Sequence, residues 1–166
     1  IKDAQKRLDG TVYKTPLMKA PFLSIQKNAE IFFKEDNLQL TGSFKLRGAF
    51  NKVAMLDDVK KAAGVVAASA GNHAQGLAFA ASYFKCEATI FMPEATPLTK
   101  VLGVKSYGAN VVLTGENFDE AYASAIKFAK DNNKEFVHPF ADDEVIAGQG
   151  TIALEILEKI EDIDQI

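Results

Sequence analysis

The stretch Val65-Val66-Ala67-Ala68-Ser69-Ala70-Gly71-Asn72-His73-Ala74-Gln75-Gly76 decides the fold. Its first four residues are apolar with no polar face, which reads as a strand buried on both sides. Beyond the turn, Ala74, Leu77, Ala78 and Ala81 recur at helical spacing, so the strand hands over to a helix with one apolar face. Ala88-Thr89-Ile90-Phe91-Met92, closed by Pro93, is the next strand. Strand, helix and strand with short connections make a βαβ unit, whose right-handed crossover sets the two strands parallel.

The alternation continues downstream. A helix follows Pro97 with Leu98, Val101 and Leu102 apolar, and Asn110 to Leu113 is a third strand. Phe118, Ala121, Tyr122, Ala125, Ile126 and Ala129 mark another helix, Glu135-Phe136-Val137 a fourth strand, and a last helix runs from about Ile146 to Ile160. Upstream, Ile1 to Leu8 reads as a short helix. Thr15-Pro16-Leu17 reads as extended, because the residue before proline avoids the helical region. Glu30 to Lys34 is a short β-type run and Asp57 to Lys61 a charged link. The expected class is α/β, with open parallel twisted sheets and helices on both faces, and with ligands outside the carboxyl ends of the strands. Ile163 to Ile166 looks like the approach to a further strand, so the sheet is expected to continue beyond these residues.

Length and composition narrow the function classes. A chain of 166 residues, 48% apolar and 25% charged, is an ordinary globular sequence large enough for one good core or two small ones. Its net charge of −3 and its lack of any basic cluster beyond helix faces such as Lys60-Lys61 argue against nucleic acid. Cys86 is the sole cysteine and cannot pair within the chain. No apolar run approaches the ~20 residues that span a bilayer, and no signal-like start is present. A cytoplasmic protein acting on small molecules is expected.

Thr41-Gly42-Ser43-Phe44-Lys45-Leu46-Arg47-Gly48 carries the second signal. Thr41-Gly42 is a turn, Ser43 is a suitable N-cap, and Leu46, Phe50 and Val53 form an apolar helical face. Lys45 then lies in the first turn, where the dipole disfavours a cation by a few tenths of a kcal/mol or more. The same field favours the neutral, nucleophilic amine. The alternative is that Lys45 and Arg47 are the exposed side of an amphipathic helix.

Ser69 to Gly76 falls at the carboxyl end of a strand and opens a helix, where free N–H groups suit a carboxylate or phosphate. Gly71 permits close approach, and Asn72 could donate to a phenolate-like oxygen. Taken singly, Ser69 and Asn72 read as capping residues and His73 as a solvent-facing first-turn histidine; taken together, the octapeptide reads as a binding site. No metal set emerges from His73, His138 and Cys86. His138-Pro139-Phe140 reads as a turn. Neither a nucleophile elbow nor a Walker A loop is present. Gly148 to Ala153 fits a loose dinucleotide pattern by chance, since no strand leads into it. Asp142-Asp143-Glu144 reads as an acidic helix start, with contact to a cation as the alternative. Gly148 and Gly150, within a helical region, suggest close packing against the lysine segment.

Glu35 to Lys52 (EDNLQLTGSFKLRGAFNK), Ser69 to Gly76 (SAGNHAQG) and Val145 to Glu155 (VIAGQGTIALE) together resemble the pyridoxal-phosphate enzymes of fold type II, in the branch of the threonine dehydratases and serine racemases. The resemblance spans nearly the whole chain. It implies pyridoxal 5'-phosphate as cofactor, with Lys45 forming the Schiff base, Phe44 packing on the ring and Asn72 bonding its phenolic oxygen. It implies that Ser69, Ala70, Asn72 and His73 receive the carboxylate of a small amino-acid substrate, mostly through backbone donors, and that Lys45 removes the α-proton. Racemases of the branch carry serine where this chain has Ala70, so elimination from threonine or serine is expected over racemisation. Thr114 to Asp119 likewise looks more like a dehydratase. In the family a glycine-rich phosphate loop and a later polar residue at the ring nitrogen come after the last residue here. The resemblance thus implies a small α/β domain at residues 58–142, only part of a large cofactor domain at 1–57 and 143–166, and poor cofactor binding by these residues alone. A homo-oligomer without membrane or nucleic-acid partners is expected.

Overall fold

A computed structural model describes all 166 residues, and its elements follow the expected alternation with a few corrections. Helix α1 (Lys2–Leu8) precedes a two-stranded antiparallel ribbon of β1 (Leu17–Lys19) and β2 (Phe32–Lys34). Between them lies α2 (Pro21–Lys27), which the sequence reading omits although Pro21 occupies its first turn, where a missing N–H costs nothing. Helix α3 (Lys45–Met55) carries the lysine. The supposed charged link is α4 (Asp58–Ala63), because Asp57 caps it by accepting from Lys60 N at 2.8 Å.

The main sheet holds β3 (Val65–Ala68), β4 (Ala88–Met92), β5 (Asn110–Leu113) and β6 (Glu135–Phe136), ordered β5-β4-β3-β6 and wholly parallel. Val65 faces Ala88 and Ala68 faces Phe91 in register. Helices α5 (Asn72–Tyr83) and α6 (Leu98–Lys105) carry the crossovers to β4 and β5, while α7 (Phe118–Asp131) returns the chain to β6 on the other side of β3.

Strand alternation sorts the core into two layers. Val65, Ala67, Ile90 and Met92 pack with Leu46, Phe50 and Val53 of α3, Leu77 and Ala81 of α5 and Val104 of α6. Val66, Ala68 and Phe91 face the opposite way, onto Ala125 and Ala129 of α7. Helices therefore cover both faces, as right-handed crossovers in opposite directions require. The direction reverses between β3 and β6, so the switch point lies at the carboxyl ends of these neighbours, where Ser69 and Val137 begin their loops.

The last helix is broken. Helix α8 (Asp143–Gln149) starts three residues before the expected Ile146, since Asp142 accepts from Glu144 N and Val145 N at 2.9 and 3.1 Å. Gly150 separates it from α9 (Thr151–Leu157), and no strand forms in the residues after α9. Asp142 thus caps a helix, and its other carboxylate oxygen lies 2.8 Å from Lys52 Nζ.

Candidate active site at the start of helix α3

Lys45 is the first residue of α3, one position nearer the helix end than a Ser43 cap would place it. Phe44 occupies the cap position without a side-chain bond, and Ser43 Oγ instead accepts from Lys45 N at 3.3 Å. Gly42 takes φ +72°, the left-handed value that the preceding turn needs. The ammonium is thus set against the positive helix end. Nζ donates to Pro139 O at 2.8 Å and lies 5.4 Å from the centroid of the Phe44 ring, which is 40% exposed. Burial holds the Lys45 amine below the ordinary lysine range.

Two glycine contacts bring the three motifs together. A Cβ on Gly76 would lie 3.1 Å from Leu46 Cα and 3.2 Å from Lys45 C, so α5 touches the backbone of α3 at the lysine. A Cβ on Gly148 would lie 2.5 Å from Arg47 O and 2.7 Å from Gly48 Cα, so α8 crosses α3 glycine on glycine. The expected packing of Gly148 on the lysine segment is present. Gly150 differs: its neighbour is the Ile1 side chain.

In the Ser69 to Gly76 loop, Ser69 Oγ accepts from Gly71 N at 3.2 Å, and Gly71, not Ser69 or Asn72, stands at the cap position. Asn72 opens α5 and is exposed; Ser69 and Ala70 are half-buried. His73 contradicts the solvent-facing alternative, being only 3% exposed. Its Nε2 is 3.0 Å from Val137 O, and since a carbonyl only accepts, Nε2 carries the proton. Nδ1 is buried without a partner. Burial pushes the His73 pKa from 6.5 down to about 4. His138 forms the expected turn, its Nδ1 accepting from Phe140 N and Ala141 N at 3.2 and 2.8 Å.

Arg47 belongs to neither reading of the helix, for it is 1% exposed. It grips Asp36 through Nε and Nη2 at 2.6 and 3.0 Å, and Glu155 through Nη1 and Nη2 at 2.6 and 3.0 Å. Nη1 also reaches Thr151 Oγ1 at 3.2 Å, and Nη2 reaches Tyr13 O at 3.2 Å. Lys34 Nζ joins the cluster 2.8 Å from Glu155. Two cations and two carboxylates are therefore buried together, linking the ribbon, α3 and α9. The signal available in the sequence was Thr151 and Glu155, polar residues four apart on one face of an otherwise apolar helix.

The arrangement offers a desolvated amine next to an aromatic face, an exposed amide donor at Asn72 and a helix start for an anion. Nothing lies within 4 Å of a Cβ built on Gly42 or Gly71, so the two turns flanking these groups face open space. Such a set suits a flat aromatic aldehyde. Two shallow hollows of about 420 and 600 Å³ lie elsewhere, against α1 and α9 and beside α2, and their linings of lysine, glutamate, amide and aliphatic side chains bear no such chemistry.

A family model described as "Pyridoxal-phosphate dependent enzyme" matches residues 8–166. The L-threonine ammonia-lyase of Thermotoga maritima is 50% identical over 166 residues, covering 100% of this chain and 41% of that protein. The catabolic L-threonine dehydratase of Escherichia coli K12 is 43% identical, covering 100% of this chain and 50% of its own. Among solved structures, the processed threonine deaminase isoform 2 of Solanum lycopersicum superposes with a TM-score of 0.93 at 39% identity, over 98% of this chain and 45% of that one. Maize serine racemase gives 0.94 at 34% identity, over 98% and 50%. The chain thus spans about two fifths to one half of the curated relatives it matches.

Proposed function

This chain belongs to the family of pyridoxal-phosphate-dependent enzymes, and from that premise we propose that the protein converts L-threonine, and L-serine, to a 2-oxo acid and ammonia, the water lost in the β-elimination being taken up again when the released imine hydrolyses. Relatives named for threonine deamination at 43 to 50% identity support this reading. The observation that carries it is the desolvated Lys45 amine at the first residue of α3, with the loop-bearing helix α5 packed against it through Gly76.

The residues present fit the cofactor. Lys45 would hold its aldehyde carbon, Phe44 would pack on its ring and Asn72 would donate to its phenolic oxygen. When bound, the cofactor supplies an electron sink for the carbon that loses a proton. The chain's own residues do the rest. The Ser69 hydroxyl and the backbone N–H groups of Ala70, Asn72 and His73 fix the substrate carboxylate, as a helix start favours an anion; the Ser69 N–H is itself donated to Phe91 O at 3.0 Å. The Lys45 amine takes the α-proton, and its burial helps to keep it neutral for that purpose. On the opposite face the Ala70 methyl carries no proton, which favours elimination over racemisation. In this reading residues 58–142 form a small domain, residues 1–57 and 143–166 belong to a larger cofactor domain, and the protein is a cytoplasmic homo-oligomer. No helix is long and apolar enough to cross a membrane.

The test is the visible absorption spectrum after addition of pyridoxal phosphate, repeated with Lys45→Ala. A band present in the wild type and absent from the variant is expected, whereas identical spectra remove Lys45 from the site. Formation of 2-oxo acid from L-threonine and L-serine, measured beside D-serine formation, tests the chemistry. Dominant D-serine production refutes the part given to Ala70.

A further inference from the structure

We propose that the His73 side chain positions the Lys45 amine through the backbone of Val137 to Pro139, a role separate from that of the His73 backbone N–H at the substrate carboxylate. The inference rests on Lys45 being the cofactor-linked residue and adds how its amine is held.

Val137 and Pro139 lie two residues apart at the exit of β6, and their carbonyls accept from two different helices. His73 Nε2 of α5 reaches Val137 O at 3.0 Å, and Lys45 Nζ of α3 reaches Pro139 O at 2.8 Å. Pro139 has no N–H with which to anchor itself. Its carbonyl is placed by what holds its neighbours. On one side Val137 N donates to Val66 O at 2.8 Å, and its carbonyl takes the His73 proton. On the other side His138 Nδ1 closes the turn by accepting from Phe140 N and Ala141 N. His73 is thus the side chain that ties this segment to the helix opened by the Ser69 to Asn72 loop.

The buried Nδ1 sharpens the point. Nδ1 finds no partner, an unfavourable state that a leucine in the same space would avoid. What histidine supplies there, and leucine does not, is the Nε2–H bond. The ring stays neutral because burial outweighs the Val137 bond; Lys45, His138 and Asp142 are the charged or titratable groups that act on it. A neutral donor is required, since a second buried cation beside Lys45 would oppose the ammonium.

The test compares His73→Leu, which removes the donor, with His73→Gln, which keeps an N–H. Pyridoxal phosphate is added, the adduct is reduced with borohydride, and the rate of labelling at Lys45 is read by peptide mass spectrometry across pH. His73→Leu should label Lys45 about tenfold more slowly at neutral pH, with its profile moved toward higher pH by roughly one unit as the amine is released to solvent. His73→Gln should stay within about threefold of wild type. An unchanged profile in a folded His73→Leu protein overturns the proposal, and so does a His73→Gln variant as impaired as His73→Leu. If His73→Leu does not fold, nitrogen NMR of the wild-type histidines still decides: an Nε2–H tautomer is expected, and an Nδ1–H tautomer refutes the bond. Failure of the underlying reading looks different, because wild-type labelling would then fall on lysines other than Lys45 while the tautomer still judges the tie to Val137.

Discussion

Replacing Arg47 by methionine should be among the most damaging single changes in this protein that leave the site residues intact. The side chain is 1% exposed and its five N–H groups all face acceptors: two carboxylates, a hydroxyl and the Tyr13 carbonyl. Methionine fills much of the stem's volume but leaves Asp36 and Glu155 buried with one cation between them, Lys34, at 3.6 and 2.8 Å. Removing one partner of a buried ion pair costs about 3–5 kcal/mol, because a charge is stranded in a medium that solvates it poorly. With a urea slope of roughly 1–3 kcal/mol/M, the midpoint should fall by about 1–5 M. Removing a carboxylate as well, in Arg47→Met with Glu155→Leu, leaves Lys34 and Asp36 as a balanced pair, and roughly 1–3 kcal/mol should return. The acid limb gives an independent check. Burial raises the Asp36 pKa, but hydrogen bonds from Arg47 and Thr15 outweigh it and hold the carboxyl below 3.8. A depressed carboxylate contributes stability that is present above its unfolded pKa and lost as pH falls through the folded one. Arg47→Met should therefore flatten the acid limb below about pH 4. A loss under about 1 kcal/mol, or a double variant less stable than the single one, would show that the cluster does not hold α3 as described.

Two further perturbations follow from the same coordinates. Gly148→Ala should destabilise by about 1–2 kcal/mol, because overpacking against Arg47 O and Gly48 Cα outweighs the ~1 kcal/mol that alanine gains in a helix; Gly103→Ala on α6, whose nearest neighbour would be Gln75 Nε2 at 3.5 Å, should instead stabilise by up to ~1 kcal/mol, and thermal melting that finds the same sign for both refutes the glycine contact. His73 is neutral when folded, with its pKa lowered from 6.5 to about 4, so the unfolded chain binds the extra proton and stability falls as pH drops through that interval. At about 1.4 kcal/mol per pH unit the loss approaches roughly 3 kcal/mol, and His73→Gln should abolish it; urea midpoints between pH 7 and 4 that fall equally in both proteins would refute the burial of a neutral ring.

What the sequence disclosed depended on whether a feature had a period. The four parallel strands and the helices between them were legible because Val65 to Ala68 is apolar throughout and Ala88 to Met92 is apolar but for the β-branched Thr89, and because Ala121, Ala125 and Ala129 recur every four residues. Short elements were harder. Helix α4 hides in Asp57 to Lys61, where a cap and a charged surface face look like a linker, and α2 exposes Phe22 and Ile25 so that no clean stripe appears. At the candidate site, turn chemistry put Lys45 in the first turn of α3 and the Ser69 loop at a strand-to-helix turn, but the caps are Phe44 and Gly71, not Ser43, Ser69 or Asn72, and the roles expected of these groups came from the resemblance. Two side chains could not be placed. Arg47 and His73 are polar residues on helix faces where local pattern predicts solvent, and only the approach of segments about 100 residues and 64 residues away buries them.

That difference explains how a lysine is kept at the unfavourable end of a helix. The dipole cost at Lys45 is a few tenths of a kcal/mol up to about one, far below the several kcal/mol that anchor the same helix elsewhere. Gly76 and Gly148 allow α5 and α8 to approach the backbone on either side of Leu46, and Arg47 draws in the ribbon and α9. With its pitch and rotation held by these contacts, α3 has no freedom to relieve the misplaced charge by fraying or turning. The amine must be accommodated where it stands, and the group that accommodates it is the Pro139 carbonyl, on a segment that His73 ties to α5. Loosening any one anchor should therefore act first on the state of the Lys45 amine. The buried Leu46 and Phe50 side chains of the core should change less.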